Sequence, residues 1–258
     1  MDTEIFNLQE RRAIVTGGGS GLGLQIADAL ASAGVDLMLC ARNLERCELA
    51  AKQISARHDV KVTARACDVR SPEEIEAVVT AAVAELGGVD ILVNNAGTSW
   101  GAPAIDYPYE AWEKVIAVNL TGSFLFSQVA ARRMIEQGTG GKIINIASVL
   151  GFRGAAEGTV DAVGYSASKG GVISLTKDLA AKWAPQGIAV NAIAPGWFKT
   201  DMSDQVLEHN GEAFLDRIPI GRFGGNRDLR GAAIFLASPA ADYMIGQMIV
   251  IDGGLSIT

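Results

Sequence analysis

The sequence predicts an α/β domain with a doubly wound, seven-stranded parallel sheet and helices on both faces, and three observations carry that prediction. Seven short runs rich in Val, Ile and Leu alternate with longer stretches of helical periodicity. The runs are apolar almost throughout, as strands covered on both faces are. No repeat, low-complexity tract or Pro/Ser-rich linker interrupts the series, and 258 residues fit one large domain spanning 1–258.

Taken in order, Ala13–Val15 is the first strand, followed by a glycine-rich turn and a helix near 22–33. Val35–Leu39 and Val60–Val62 give the second and third strands, with helices near 44–57 and 72–86 after each. Asp90–Val93 leads to a long apolar helix over 107–137, and Lys142–Ile146 to a helix over 163–184. Ile188–Asn191 and Met248–Ile251 complete the sheet, with a helix near 227–237 between them. Gly34, Gly87-Gly88, Gly140-Gly141 and Gly187 punctuate the strand boundaries. The segment 201–222, with Gly211 and Pro219, reads as a substrate lid or as a packed helical connection. Such alternation defines a Rossmann sheet, whose ligands bind beyond the carboxyl ends of the strands.

Composition narrows the function. Lys+Arg 22 against Asp+Glu 29 gives a net charge of -7, so no basic footprint for nucleic acid or anionic membrane is expected. Hydrophobic residues at 49% and charged residues at 20% exclude a disordered chain. The acidic start Met1-Asp2-Thr3-Glu4 is unlike a secretory signal, and no apolar run approaches the ~20 residues of a membrane span, so a cytoplasmic protein is expected. Cys40, Cys47 and Cys67 form no C-x-x-C pair and read as core residues, and His58 and His209 show no ligand spacing, so no metal site is expected.

The first strand runs into Thr16-Gly17-Gly18-Gly19-Ser20-Gly21-Leu22-Gly23 and then directly into a helix. Glycines permit a tight turn, and a helix N-terminus offers unpaired N–H groups and a positive dipole to a pyrophosphate. The second strand ends in Cys40-Ala41-Arg42-Asn43, without the acid that receives the ribose of NAD. Arg42 offers a fork for a 2′-phosphate instead, favouring NADP(H) over NAD(H), the alternative being a solvated arginine at a helix start. Asp68, before Val69, can accept from an adenine amino group or cap the next helix. Asn94-Asn95-Ala96-Gly97 ends the fourth strand, where small residues permit close approach and the amides can tie strands together or form a turn.

Tyr165-Ser166-Ala167-Ser168-Lys169 opens a helical pattern in which Tyr165 and Lys169, at i and i+4, share a face. An ammonium beside a phenol lowers the phenol's pKa, so Tyr165 is expected to exchange a proton with a carbonyl or alcohol oxygen. Ser148 places a hydroxyl after the fifth strand, as a site group or a helix cap. Asn119 puts an amide inside a long apolar helix, where a polar group needs a partner.

From residue 9 to 254 the chain resembles the short-chain dehydrogenases/reductases, through Thr16-Gly17-x-x-x-Gly21-x-Gly23, Asn94-Asn95-Ala96-Gly97, Asn119, Ser148, Tyr165-x-x-x-Lys169 and Pro195-Gly196 in that order. The resemblance implies Tyr165 as general acid/base, Ser148 orienting the carbonyl, Lys169 holding the nicotinamide ribose and Asn119 anchoring a relay water. It also implies Pro195, Gly196 and Thr200 beside the nicotinamide, and a homotetramer or dimer. β-Ketoacyl reductases, gluconate 5-dehydrogenases and general ketone reductases are all similar to it.

Seventeen positions separate Ser148 from Tyr165, several more than the family usually shows, and the extra length is expected to shape the substrate pocket. Ser99, Trp100, Phe152 and Trp197 are expected around the substrate, favouring an apolar ketone or acyl thioester over a hydroxylated sugar acid. Two other classes compete. A β-lactamase-like hydrolase could use Ser166-x-x-Lys169 but lacks its partner motifs; an NADP-binding sensor without turnover would keep the same cofactor residues.

Overall fold

The computed structural model describes residues 4–155 and 160–258. Its strands are β1 (Arg12–Thr16), β2 (Asp36–Ala41), β3 (Val62–Ala66), β4 (Ile91–Asn94), β5 (Gly141–Ile146), β6 (Ile188–Pro195) and β7 (Met248–Ile251). They form one parallel sheet in the order β3-β2-β1-β4-β5-β6-β7. The helices are α1 (Gly21–Ser32), α2 (Leu44–Ser55), α3 (Pro72–Leu86), α4 (Tyr109–Ile116), α5 (Gly122–Gln137), α6 (Val163–Trp183), α7 (Asp204–Leu215) and α8 (Arg230–Ala237). Strand order reverses between β1 and β4, which opens a crevice at their carboxyl ends.

Successive side chains of β1 enter opposite cores. Ala13 and Val15 pack with Ile26, Leu30 and Leu236, while Ile14 packs with Met38, Val79 and Phe126. Both faces of the sheet are therefore dry. At its far end Arg12 donates to both Asp90 oxygens, Nε to Oδ2 at 2.7 Å and Nη2 to Oδ1 at 2.8 Å. Asp28 on α1 accepts from His58 at 3.0 Å, pairs with Arg57 at 3.0 Å and binds Arg230 at the start of α8. Burial works against its ionisation, but the two arginines and the His58 hydrogen bond more than offset that and hold Asp28 below the usual carboxylate range. Cys40, Cys47 and Cys67 are free and buried.

Two elements and one expectation about apolar length depart from the sequence reading. The third strand is Val62–Ala66 rather than Val60–Val62, because this edge strand is half exposed and its apolar run does not mark its length. The helix expected over 107–137 is divided by a π-helical turn, Ala117–Thr121. The stretch Tyr109–Gln137 is nonetheless long and apolar enough, by length and composition, to cross a membrane, which the sequence was expected to lack. Here its apolar face packs on the sheet, where Phe126, Ala130 and Met134 have no exposure.

Candidate active site

The glycine-rich turn is locked onto β4. Thr16 Oγ1 accepts from the Asn95 and Ala96 amides, both at 2.9 Å, and Asn95 Nδ2 donates to the Thr16 and Gly17 carbonyls at 2.9 and 3.2 Å. Gly17 has φ +64, and a Cβ on Gly23 would come within 2.2 Å of the Gly17 oxygen, so strand, turn and helix meet too closely for side chains. Asn95 thus holds the turn with its side chain rather than reaching outward. Ser20 makes no side-chain cap at α1, leaving the first-turn amides of Gly21, Leu22 and Gly23 free of intrahelical partners. The Thr200 methyl lies beside Gly21, 3.4 Å from where a Cβ would stand.

Beyond β2, Arg42 is exposed and forms no hydrogen bond or ion pair among the described residues. Asn43 caps α2 through the Arg46 amide at 3.0 Å, so its oxygen already has a structural task. Arg46 itself reaches Asp201 at 2.7 Å, tying α2 to the segment before α7. Asp68 is held by Arg70, which keeps its carboxylate at about 2, and the cap of α3 is Ser71, accepting from Glu74 at 3.2 Å. The capping expectation for Asp68 therefore passes to Ser71. Val69 is buried against Gly122, and Gly97 lies near Asn119 and Lys169. The free amides, the glycine cradle and the unpaired Arg42 fork fit a dinucleotide with a 2′-phosphate.

Register brings the reactive side chains together: Asn94 lies beside Asn145 across β4 and β5, and Ile146 beside Ile193 across β5 and β6. Asn94 Nδ2 donates to Asn145 Oδ1 at 2.9 Å and to Ser127 at 2.8 Å, so the strand ends are cross-linked. Ser148 follows β5 and opens a tight turn that packs on α6, where a Cβ on Gly151 would meet the Lys169 backbone at 2.7 Å. Tyr165 and Lys169 come from the first turns of α6. Lys169 Nζ donates to the Ile146 carbonyl at 2.6 Å and stands 5.5 Å from the Tyr165 ring centroid. Burial alone pulls its ammonium down to about 8.

Burial raises the Tyr165 pKa, and a hydrogen bond with Ser148 offsets only part of that. The expectation that Lys169 lowers it is corrected: the ammonium bonds to a backbone carbonyl and does not touch the phenol oxygen, while burial penalises the phenolate. Asn119, fully buried in the π-helical turn, accepts from the Thr98 amide at 2.8 Å and donates to the Thr98 carbonyl and the Ser168 hydroxyl, both at 2.9 Å. The amide in an apolar helix is there to pin the loop after β4 to α6.

Ser148 and Tyr165 border a cavity of about 550 Å³, while Lys169 and Asn119 stand behind its wall. Ser99, Trp100, Pro195, Gly196, Trp197, Thr200 and Leu22 line it, as do Ser148 and Tyr165. Phe152 does not: it is 44% exposed and its neighbour Arg153 lines the cavity instead. The turn Val149–Gly151 resets the phase, so sequence spacing could not tell which of the two faces inward. Sequence reasoning also missed Phe214, which stacks on Trp197 at 4.6 Å, and Arg217, which follows α7 into the cavity wall. The Ser148–Tyr165 segment contributes Gly154, Ala155, Val160, Asp161 and Ala162; residues 156–159 lie outside the described residues.

A family model described as enoyl-(acyl carrier protein) reductase matches residues 17–256. The 2-dehydro-3-deoxy-D-gluconate 5-dehydrogenase of Dickeya dadantii (strain 3937) is 42% identical over 253 residues, covering 96% of each chain. The 3-oxoacyl-(acyl-carrier-protein) reductase FabG of Aquifex aeolicus (strain VF5) is 38% identical over 250 residues, 97% of this chain and 99% of that one. A crystal structure of a gluconate 5-dehydrogenase from Burkholderia cenocepacia J2315, in complex with NADP and tartrate, superposes with a TM-score of 0.92 at 37% identity, covering 99% of this chain and 98% of that one.

Proposed function

The chain belongs to the short-chain dehydrogenase/reductase family, and from that premise we propose that it is an NADP(H)-dependent oxidoreductase interconverting a ketone and a secondary alcohol. The observation that carries this reading is the convergence of Ser148 and Tyr165 on one cavity at the carboxyl ends of β5 and β6, with Lys169 one helical turn further along α6 and bonded to the Ile146 carbonyl. Gly21, Leu22 and Gly23 would offer their amides to the pyrophosphate and Arg42 its fork to the 2′-phosphate. Hydride transfer is the chemistry that the nicotinamide supplies when bound.

Ser148 would orient the substrate oxygen, and Tyr165 would exchange a proton with it. Burial raises the Tyr165 pKa, and in the direction of reduction its phenol would give a proton to the forming alkoxide. Lys169 would hold the nicotinamide ribose. Asn119 acts by positioning, since its side chain already joins Thr98 to Ser168.

Walls of Trp100, Trp197, Phe214, Val149 and Leu150 support an apolar ketone or β-ketoacyl thioester. A sugar-acid substrate is the second reading, favoured by the gluconate dehydrogenases among the relatives and by two arginines in the cavity. The segment 201–222 would act as the lid, with Phe214 on Trp197 as its apolar contact. We further place the protein in the cytoplasm as a homotetramer or dimer, a state supported by the half-exposed Ile135 on α5 and Val250 on β7.

The test is NADPH oxidation with a panel of ketones, β-ketoacyl thioesters and oxo acids, run alongside Tyr165→Phe. Turnover that collapses in the variant is expected. Tight NADPH binding without turnover across the panel would leave a sensor in its place.

A further inference from the structure

Two arginines stand in the cavity wall and take no part in the proton transfer proposed above. Arg153 leaves the turn that begins at Ser148 and donates from Nη1 to the Leu255 carbonyl. Arg217 follows α7, and its own carbonyl accepts from the Thr258 hydroxyl at 3.3 Å. One small core draws them to the same wall: Val149, Ile218 and Leu255 pack together with Trp197 and Phe223. Val149 belongs to the turn that carries Arg153, and Ile218 directly follows Arg217.

Neither guanidinium forms an ion pair among the described residues. Asp252 feels the charge of Arg153, yet its oxygens are already taken by the Gly254 and Ser256 amides at 2.9 and 2.7 Å. Among the described residues, Asp161 is the acidic residue of the lining, on the segment tied to Ala102. In a chain of net charge -7, the described lining thus presents two arginines against one aspartate. Planar guanidinium forks that form no ion pair among the described residues, next to an apolar floor, are suited to receive a small anion.

We propose that Arg153 and Arg217 form an anion subsite that takes the carboxylate of the substrate, which makes the substrate a small oxo acid or the matching hydroxy acid. This deepens the carbonyl–alcohol reading and rests on it for the fate of the bound molecule. Arg153 holds the subsite in register through Leu255, while Arg217 brings a guanidinium from the lid segment.

Two measurements test it, one without turnover. Calorimetric titration with tartrate is expected to show binding to the wild type and at least tenfold weaker binding to Arg153→Met and Arg217→Met. Arg153→Lys, which keeps a donor for Leu255, guards against a folding defect and is expected to regain part of the loss. With NADPH, kcat/KM for levulinate and for 5-ketogluconate is expected to exceed that of their methyl esters tenfold or more, and the acid-to-ester ratio to fall toward one in both methionine variants. Equal tartrate affinity in all proteins, or equal use of acid and ester by the wild type, overturns the subsite. Arginine-dependent turnover confined to acyl-CoA thioesters would make the anion a phosphate and overturn the carboxylate. Arginine-dependent tartrate binding with no carbonyl turnover would instead sink the reaction while leaving the subsite in place.

Discussion

Tyr165 is half-buried at the cavity wall beside Ser148, so removing only its hydroxyl should abolish proton delivery and leave packing intact. Tyr165→Phe is expected to lower kcat by about 10²–10⁴-fold, with thermal melting close to wild type; a smaller loss would transfer the acid role elsewhere. Arg42→Asp should reverse part of the preference for NADPH over NADH, measured as the ratio of kcat/KM values, because the unpaired fork becomes a charge that repels a 2′-phosphate. An unchanged ratio would remove Arg42 from that contact. At this scale the sequence was most informative where spacing is fixed by a helix, as for Tyr165 and Lys169 on α6. It was least informative after tight turns. Phe152 and Arg153 could not be ordered inward or outward, and Arg46 gave no signal because its partner Asp201 is 155 positions away.

Among the elements, α1 is fastened to the chain around it by Asp28, which binds the start of α8 and the turn after α2. Asp28→Asn keeps the shape but leaves Arg57 and Arg230 short of a counter-charge, and is expected to cost about 1–3 kcal/mol. Because the folded-state pKa of Asp28 is lowered, its contribution is fully present above the unfolded carboxylate pKa of ~3.9 and is lost as pH falls through the folded value. The melting-temperature gap between wild type and variant should therefore be wide at neutral pH and narrow toward pH ~2–3. A gap independent of pH would mean the loss is steric. The buried strands were legible because their apolar runs are continuous, and β3 was not because it lies at the sheet edge. The π-helical turn escaped because five residues of different backbone geometry leave the apolar pattern on either side unbroken.

On the scale of the molecule, the sheet places the crevice between β1 and β4, the Ser148–Tyr165 pair and the segment 201–222 at one end, and the Arg12–Asp90 fastening at the other. Removing four residues within 154–161 is expected to change the ratio of kcat/KM between a bulky ketone and a small oxo acid by about tenfold, since the described part of that segment lines the cavity. An unchanged ratio would reduce the segment to a surface connection. Fold class was legible from the alternation of elements, whereas the shape of the cavity depends on residues gathered from distant loops and on the C-terminal turn, which no local pattern announces.

The π-helical turn sets a limit on how the chain can change length. A π-helical turn closes at i→i+5 and so holds one residue more than an α-helical turn, and deleting one position within Ala117–Thr121 would return the stretch to α-helix with Phe126 and Met134 kept on the sheet. The same event would pull Asn119 away from Thr98 and Ser168. Loops around the cavity can gain or lose residues with little loss of stability, but this turn can do so only by giving up the Asn119 bridge. Lineages descended from this chain should vary in length between Ser148 and Tyr165 while keeping the count from Tyr109 to Gln137 constant.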